Sequence, residues 1–143
     1  TSTTTVASKY CFGPLTPILL ANGTVAPVES LRPGDVVLSY NILTHKFVPD
    51  IILENVRLVS HNKYIINSHI ETDAGESFYT NKGWLYASQL KVGDELYAPL
   101  NNTFIPITSI KIIQNTSFVE YDLIGSTLNN FIADGYLADI NTI

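Results

Sequence analysis

Cysteine is all but missing from this chain: of 143 residues, only Cys11 is one. A single thiol excludes an intrachain disulfide framework and any thiolate-rich zinc site. It leaves the redox compartment open, since a free thiol is compatible with either side of a membrane. Positive charge is scarce as well. Eight Lys and Arg stand against thirteen Asp and Glu, for a net charge of −5, so the basic surface that nucleic acid or an anionic membrane would need is absent. No apolar stretch is long enough to cross a bilayer, and the first ten residues are polar, so neither a spanning helix nor a secretory signal is expected. No window of a dozen residues carries a helical stripe.

What remains is 45% hydrophobic, enough for an ordered core in one domain without staples. Residues 1–10 are Thr- and Ser-rich, lack periodicity and read as a flank. Beyond them, short runs rich in β-branched and aromatic residues, bounded by turn residues, predict strands. They cover residues 16–20, 36–41, 47–58, 63–67, 77–80, 95–99, 104–114, 118–124 and 130–133. The fold class expected is all-β.

One stretch occurs twice. The stretch from Ala26 to Leu38, with Leu31-Arg32-Pro33-Gly34-Asp35 at its centre, lines up with that from Leu85 to Leu96, with Leu90-Lys91-Val92-Gly93-Asp94 at its centre, and each runs into an apolar strand. The physical reading is a short helical turn that buries its Leu, a Gly at positive φ, and an Asp that turns the chain into a strand. Two copies predict a duplicated half-domain with pseudo-two-fold symmetry.

Cys11 heads an apolar run, Pro14-Leu15-Thr16-Pro17-Ile18-Leu19-Leu20, that passes through Asn22-Gly23 into the first repeat copy. A lone thiol there is either a small buried hydrophobe or a nucleophile. The whole stretch from Cys11 to Tyr40 resembles the opening motif of Hint domains, the superfamily of inteins, bacterial intein-like domains and hedgehog autoprocessing domains. Phe78-Tyr79-Thr80-Asn81-Lys82-Gly83-Trp84, with Leu90-Lys91-Val92-Gly93-Asp94 after it, looks like the second motif and its tail. Glu120-Tyr121-Asp122-Leu123 and Asn130-Phe131-Ile132-Ala133-Asp134-Gly135 are similar to the closing motifs, which end in an Asn; Asn141, followed by Thr142, sits close to that place. The resemblance covers residues 11–141 and leaves 1–10 and 142–143 as flanks. It has no room for a homing endonuclease, so a minimal Hint domain with a horseshoe-like fold is implied.

The resemblance also implies a chemistry. Cys11 would attack the carbonyl of Tyr10, turning the Tyr10–Cys11 amide into a thioester. Asn141 would cyclise to a succinimide, cutting before Thr142, whose hydroxyl could first accept the acyl group. Asp122 stands where the third motif often has an acidic residue that coordinates the two ends. No cofactor is implied. The partners would be the flanking polypeptides in cis, with no nucleic acid, no membrane and a monomeric domain.

Two departures from the family pattern matter. The second motif usually carries Thr-x-x-His, but those positions fall on Asp73 and Glu76. Three routes stay open: Glu76 as the acid if burial raises its pKa, Thr72 or His69 brought in by a one-residue register change, or a crippled first step. At the end, Ile140 stands where a His usually precedes the Asn, and Asp139 could substitute for it. Cys11, Asp73 and Glu76 with His61 or His69 would make an adventitious zinc site that caps the nucleophile, with Cys11, Glu76 and His69 its simplest set. The rival reading is a degenerate Hint fold kept as a structural or interaction module. A cysteine hydrolase acting in trans would need a His base oriented by a third group, and neither His61 nor His69 lies in such a motif.

Overall fold

The computed structural model describes residues 11–139, built from twelve strands and two single 3-10 turns. The strands are β1 (Pro17–Leu19), β2 (Val25–Pro27), β3 (Val36–Asn41), β4 (Lys46–Ile66), β5 (Ile70–Thr72) and β6 (Ser77–Thr80). β7 (Gly83–Tyr86), β8 (Glu95–Ala98), β9 (Thr103–Pro106), β10 (Ile110–Gly125), β11 (Asn130–Ala133) and β12 (Tyr136–Asp139) complete the set. One sheet runs in the order β2-β1-β11-β12-β6-β8-β9 with β7 on β6; the other runs β10-β4-β3 with β5 on β4. The all-β expectation is met.

The repeated stretch folds the same way twice. Val28–Ser30 and Ala87–Gln89 form 3-10 turns, and Leu31 and Leu90 behind them are buried. Gly34 and Gly93 sit at φ 98° and 101°, a conformation that costs a side chain with a Cβ but not glycine. The following carboxylates close each turn, Asp35 accepting the Arg32 N–H at 2.8 Å and Asp94 the Lys91 N–H at 2.9 Å. The chain then enters β3 or β8, and the Gly N–H bonds the next strand's neighbour, Ile52 O or Ile107 O. Each unit begins with a hairpin, β1–β2 or β6–β7, so the symmetry extends beyond the turn.

Several strand expectations need correction. Residues 47–58 and 63–66 belong to one strand, β4, of 21 residues, and Asn67 begins the turn after it. The polar run Ser60-His61-Asn62 interrupts the apolar pattern but not the backbone, because β4 pairs with β10 on both sides of it. Residues 110–124 likewise form one strand, β10, with a register shift between Gln114 and Phe118. The expected run 104–114 breaks after Pro106, where the Asn67 side chain accepts the Thr108 N–H at 2.7 Å. The three- and four-residue strands β2, β5, β7 and β12 were not expected from periodicity.

The core lies between the sheets. Phe12, Ile18, Ile66, Ile70, Phe78, Leu96, Ile107, Leu123 and Phe131 are among its fully buried side chains; removing each from water is worth about 1.5–3 kcal/mol. Asn130 ties the two sheets together like a strand rung, accepting the Tyr40 N–H at 2.9 Å and donating to the Tyr40 carbonyl at 2.9 Å.

Candidate active site

Phe12 is the clamp that sets the site. Its N–H donates to Tyr121 O at 3.0 Å and its carbonyl accepts the Tyr121 N–H at 2.8 Å, while on its other side it bridges Thr72. The Gly13 N–H donates to Glu71 O at 2.9 Å. This two-sided pairing draws Cys11, the preceding residue, between the end of β5 and the middle of β10, fully buried. Gly13 is needed for the approach, because a Cβ there would lie 2.6 Å from Glu71 Oε1 and 2.8 Å from Glu71 Cβ.

Around Cys11 the groups are polar. The Thr72 hydroxyl donates to the Cys11 carbonyl at 2.9 Å, and the Asp73 N–H donates to the same oxygen at 3.3 Å. The Cys11 N–H in turn donates to the Asp73 carboxyl. Asp73 Oδ2 is buried and takes no hydrogen bond among the described residues. Cys11 Sγ, an Asp73 oxygen and a Glu120 oxygen all lie within 4.8 Å of one another.

Burial dominates the electrostatics. It pushes Asp73 up to about 7, with the Asp122 charge adding to the rise and the N–H groups of Cys11, Gly75 and Glu76 opposing it. Burial, then the Asp73 carboxyl beside it, pushes Glu120 up to about 8, and the Lys63 ammonium and Ser60 hydroxyl offset only part of this. No hydrogen bond of ordinary length reaches either Glu120 oxygen among the described residues. Asp122, one pleat along the same face of β10, is pushed up to about 7 by burial and by Glu54. At neutral pH such a cluster is poised to hold and pass protons.

The structure thus gathers Cys11, Thr72 and Asp73. Glu76 is buried on the turn before β6, where its backbone N–H reaches Asp73. Asp139 ends β12, its backbone paired with Ser77 beside Glu76. Tyr10, Asn141 and Thr142 lie outside the described residues. The zinc set Cys11, Glu76 and His69 is not assembled among the described residues. His69 is exposed, with Nδ1 2.6 Å from Asp134 Oδ2, and His61 is exposed on β4. The donors that do cluster, Cys11, Asp73 and Glu120, include two carboxyls held toward their neutral forms, the state that carries a proton rather than a cation.

Glu120 is the residue that sequence reasoning passed over. Its signal was an acidic side chain two residues before Asp122 in an apolar strand, hence on the same face.

No family model matches the chain, and no curated protein matches it. Solved structures do. The bacterial intein-like domain from Clostridium thermocellum superposes with a TM-score of 0.81 at 22% identity, covering 92% of this chain and 99% of that one. A DnaB intein from Synechocystis gives 0.78 at 18% identity over 92% and 99% of the two chains. The TvoVMA intein gives 0.78 at 21% identity over 95% and 100%. Together with the duplicated turn-and-strand unit, these superpositions establish that the chain has the Hint fold of a minimal intein.

Proposed function

We propose that this domain processes its own polypeptide, with Cys11 as nucleophile and the Tyr10–Cys11 peptide bond as the first target. The Cys11 sulfur attacks the Tyr10 carbonyl carbon, the C–N bond breaks, and the products are a thioester at Tyr10 and a free amine on Cys11. An amide resists this exchange because it is resonance-stabilised. The nitrogen therefore leaves readily only if it is protonated as the bond breaks.

The observation that carries the reading is the closeness of Cys11 and Asp73: the Asp73 N–H donates to the Cys11 carbonyl at 3.3 Å, an Asp73 carboxyl oxygen lies within 4.8 Å of Cys11 Sγ, and the Cys11 N–H faces that carboxyl. The nitrogen that must be protonated already faces a carboxyl pushed up to about 7, an acid able to donate near neutral pH. Asp73 fills the task given in other Hint domains to the His that this chain lacks. Burial also serves the reaction, since a site closed to water strengthens every charge interaction in it. At the far end, the Asn141 side-chain nitrogen attacks its own carbonyl carbon to give a succinimide and release Thr142, with Asp122 and Asp139 as the acidic groups that their motif positions assign to that step. If the Thr142 hydroxyl first takes the acyl group, the flanks are joined; otherwise they are released.

The test is intact-mass spectrometry of the chain with its flanks, beside Cys11→Ala and Asn141→Ala. The reading expects cleavage after Tyr10 that Cys11→Ala abolishes, and cleavage after Asn141 that Asn141→Ala abolishes. Constant mass in the unsubstituted chain would leave a fold kept for structure or binding.

A further inference from the structure

We propose that Glu120 is the base that takes the Cys11 thiol proton, acting with Asp73 as a carboxyl pair that holds one proton. This rests on the acyl shift argued above. A buried thiol is a poor nucleophile until a base removes its proton. None of the three histidines can serve: His45, His61 and His69 are all exposed, and His69 is engaged with Asp134. Glu120 is buried on β10 with no ordinary hydrogen bond to either oxygen among the described residues. It lies within 4.8 Å of both Cys11 Sγ and the Asp73 carboxyl, inside the reach of transfer through one bridging water.

Burying such a group without a partner costs several kcal/mol if it is charged, so it is best accommodated as half of a proton-sharing pair. Two carboxyls this close do not both ionise at neutral pH. The charged groups acting on the pair are Lys63 from β4, Glu71 from β5 and Asp122 from β10. Lys63 is held by Glu71 at 3.2 Å and lies over the Phe118 ring, so it does not close onto Glu120 as an ion pair.

The step balances. The one-proton pair rests with its proton mostly on Glu120, the more strongly raised carboxyl, and the step runs from the minor form with that proton on Asp73. Glu120 carboxylate gains the thiol proton; sulfur bonds to the Tyr10 carbonyl carbon; the C–N bond breaks; Asp73 carboxylic acid gives its proton to the Cys11 nitrogen. The pair still holds one proton, now on Glu120, and transfer from Glu120 to Asp73 resets it.

The test measures the first-order rate of dithiothreitol-induced release of residues 1–10 from the full chain, from pH 5 to 10, in wild type, Glu120→Gln and Glu120→Asp. The proposal expects a bell-shaped wild-type profile, because the pair must hold one proton, with its maximum between about 7 and about 8. Glu120→Gln should slow release about 100-fold and lose the bell, and Glu120→Asp should recover part of the rate with the bell intact. A Gln variant within twofold of wild type, with the same profile, overturns Glu120 while leaving Cys11 as nucleophile. So does an Asp variant that is folded by circular dichroism yet as slow as Gln and without the bell. No release from wild type overturns the acyl-shift reading itself, and this proposal with it.

Discussion

Cys11 and Asp73 grip each other twice: the Cys11 N–H donates to the Asp73 carboxyl, and the Asp73 N–H donates to the Cys11 carbonyl at 3.3 Å. The first bond aims a proton source at one nitrogen, and the second fixes the residue that carries it. Asp73→Asn keeps an acceptor oxygen for the Cys11 N–H but has no proton to give. It is expected to slow thioester formation about 100- to 1,000-fold while shifting Tm by only a few degrees. A thermal melt beside the cleavage rate separates the two effects.

The raised carboxyls also fix how stability varies with pH. Unfolded, Asp73 and Glu120 ionise near 4; folded, they hold their protons to about 7 and about 8. Between those limits the folded state binds more protons than the unfolded chain, so stability falls as pH rises through 7 and 8. Tm is expected to drop by on the order of 5–10 °C from pH 5 to pH 9. Glu120→Gln should flatten that slope and be the more stable protein at pH 9, which scanning calorimetry at the two ends would show.

Asp50 should behave with the opposite sign. Burial alone would raise it, but N–H bonds from Ser126, Thr127 and Asn129 and the Ser126 hydroxyl hold it below the usual carboxylate range. It organises the loop that delivers β11. Its contribution is present above the ordinary carboxylate pKa and is lost only as pH falls below it. Asp50→Ala, which removes the acceptor of five hydrogen bonds, the Ser39 hydroxyl's included, is expected to cost about 2–4 kcal/mol in urea unfolding at pH 7, with no change in the pH 5 to 9 slope.

Gly13→Ala drives a methyl group into Glu71 Oε1 at 2.6 Å and Glu71 Cβ at 2.8 Å. The Glu71 carboxylate can rotate aside but its Cβ, fixed to the β5 backbone, cannot, so the segment must shift and Cys11 with it. A loss of about 1–3 kcal/mol and slower thiol-induced cleavage are expected, measured by denaturant unfolding and intact mass on the same sample.

How much of this the sequence disclosed follows from what is local. The Gly34-Asp35 and Gly93-Asp94 turns were legible because their geometry depends on a few adjacent residues, and β3, β6 and β11 because their ends carry turn signals. β4 was read as two strands because period-2 patterning reports burial of one face, and the stretch through Ser60 and His61 buries neither. Cys11 was legible as the head of its motif; Asp73 was legible only as the residue at the second motif's Thr position, and the acid expected there was Glu76. Glu120 was not legible, because its burial is created by Phe12 pairing with Tyr121, 109 residues away in sequence, and no local pattern encodes that.

The most direct test of the account is the identity of the fragment that dithiothreitol releases from the full chain at pH 7.5. The account predicts residues 1–10 ending at Tyr10 and carrying dithiothreitol as a thioester, formed by wild type, slowed by Asp73→Asn and absent from Cys11→Ala. A chain that stays at its full mass for days under these conditions, while folded, would contradict it.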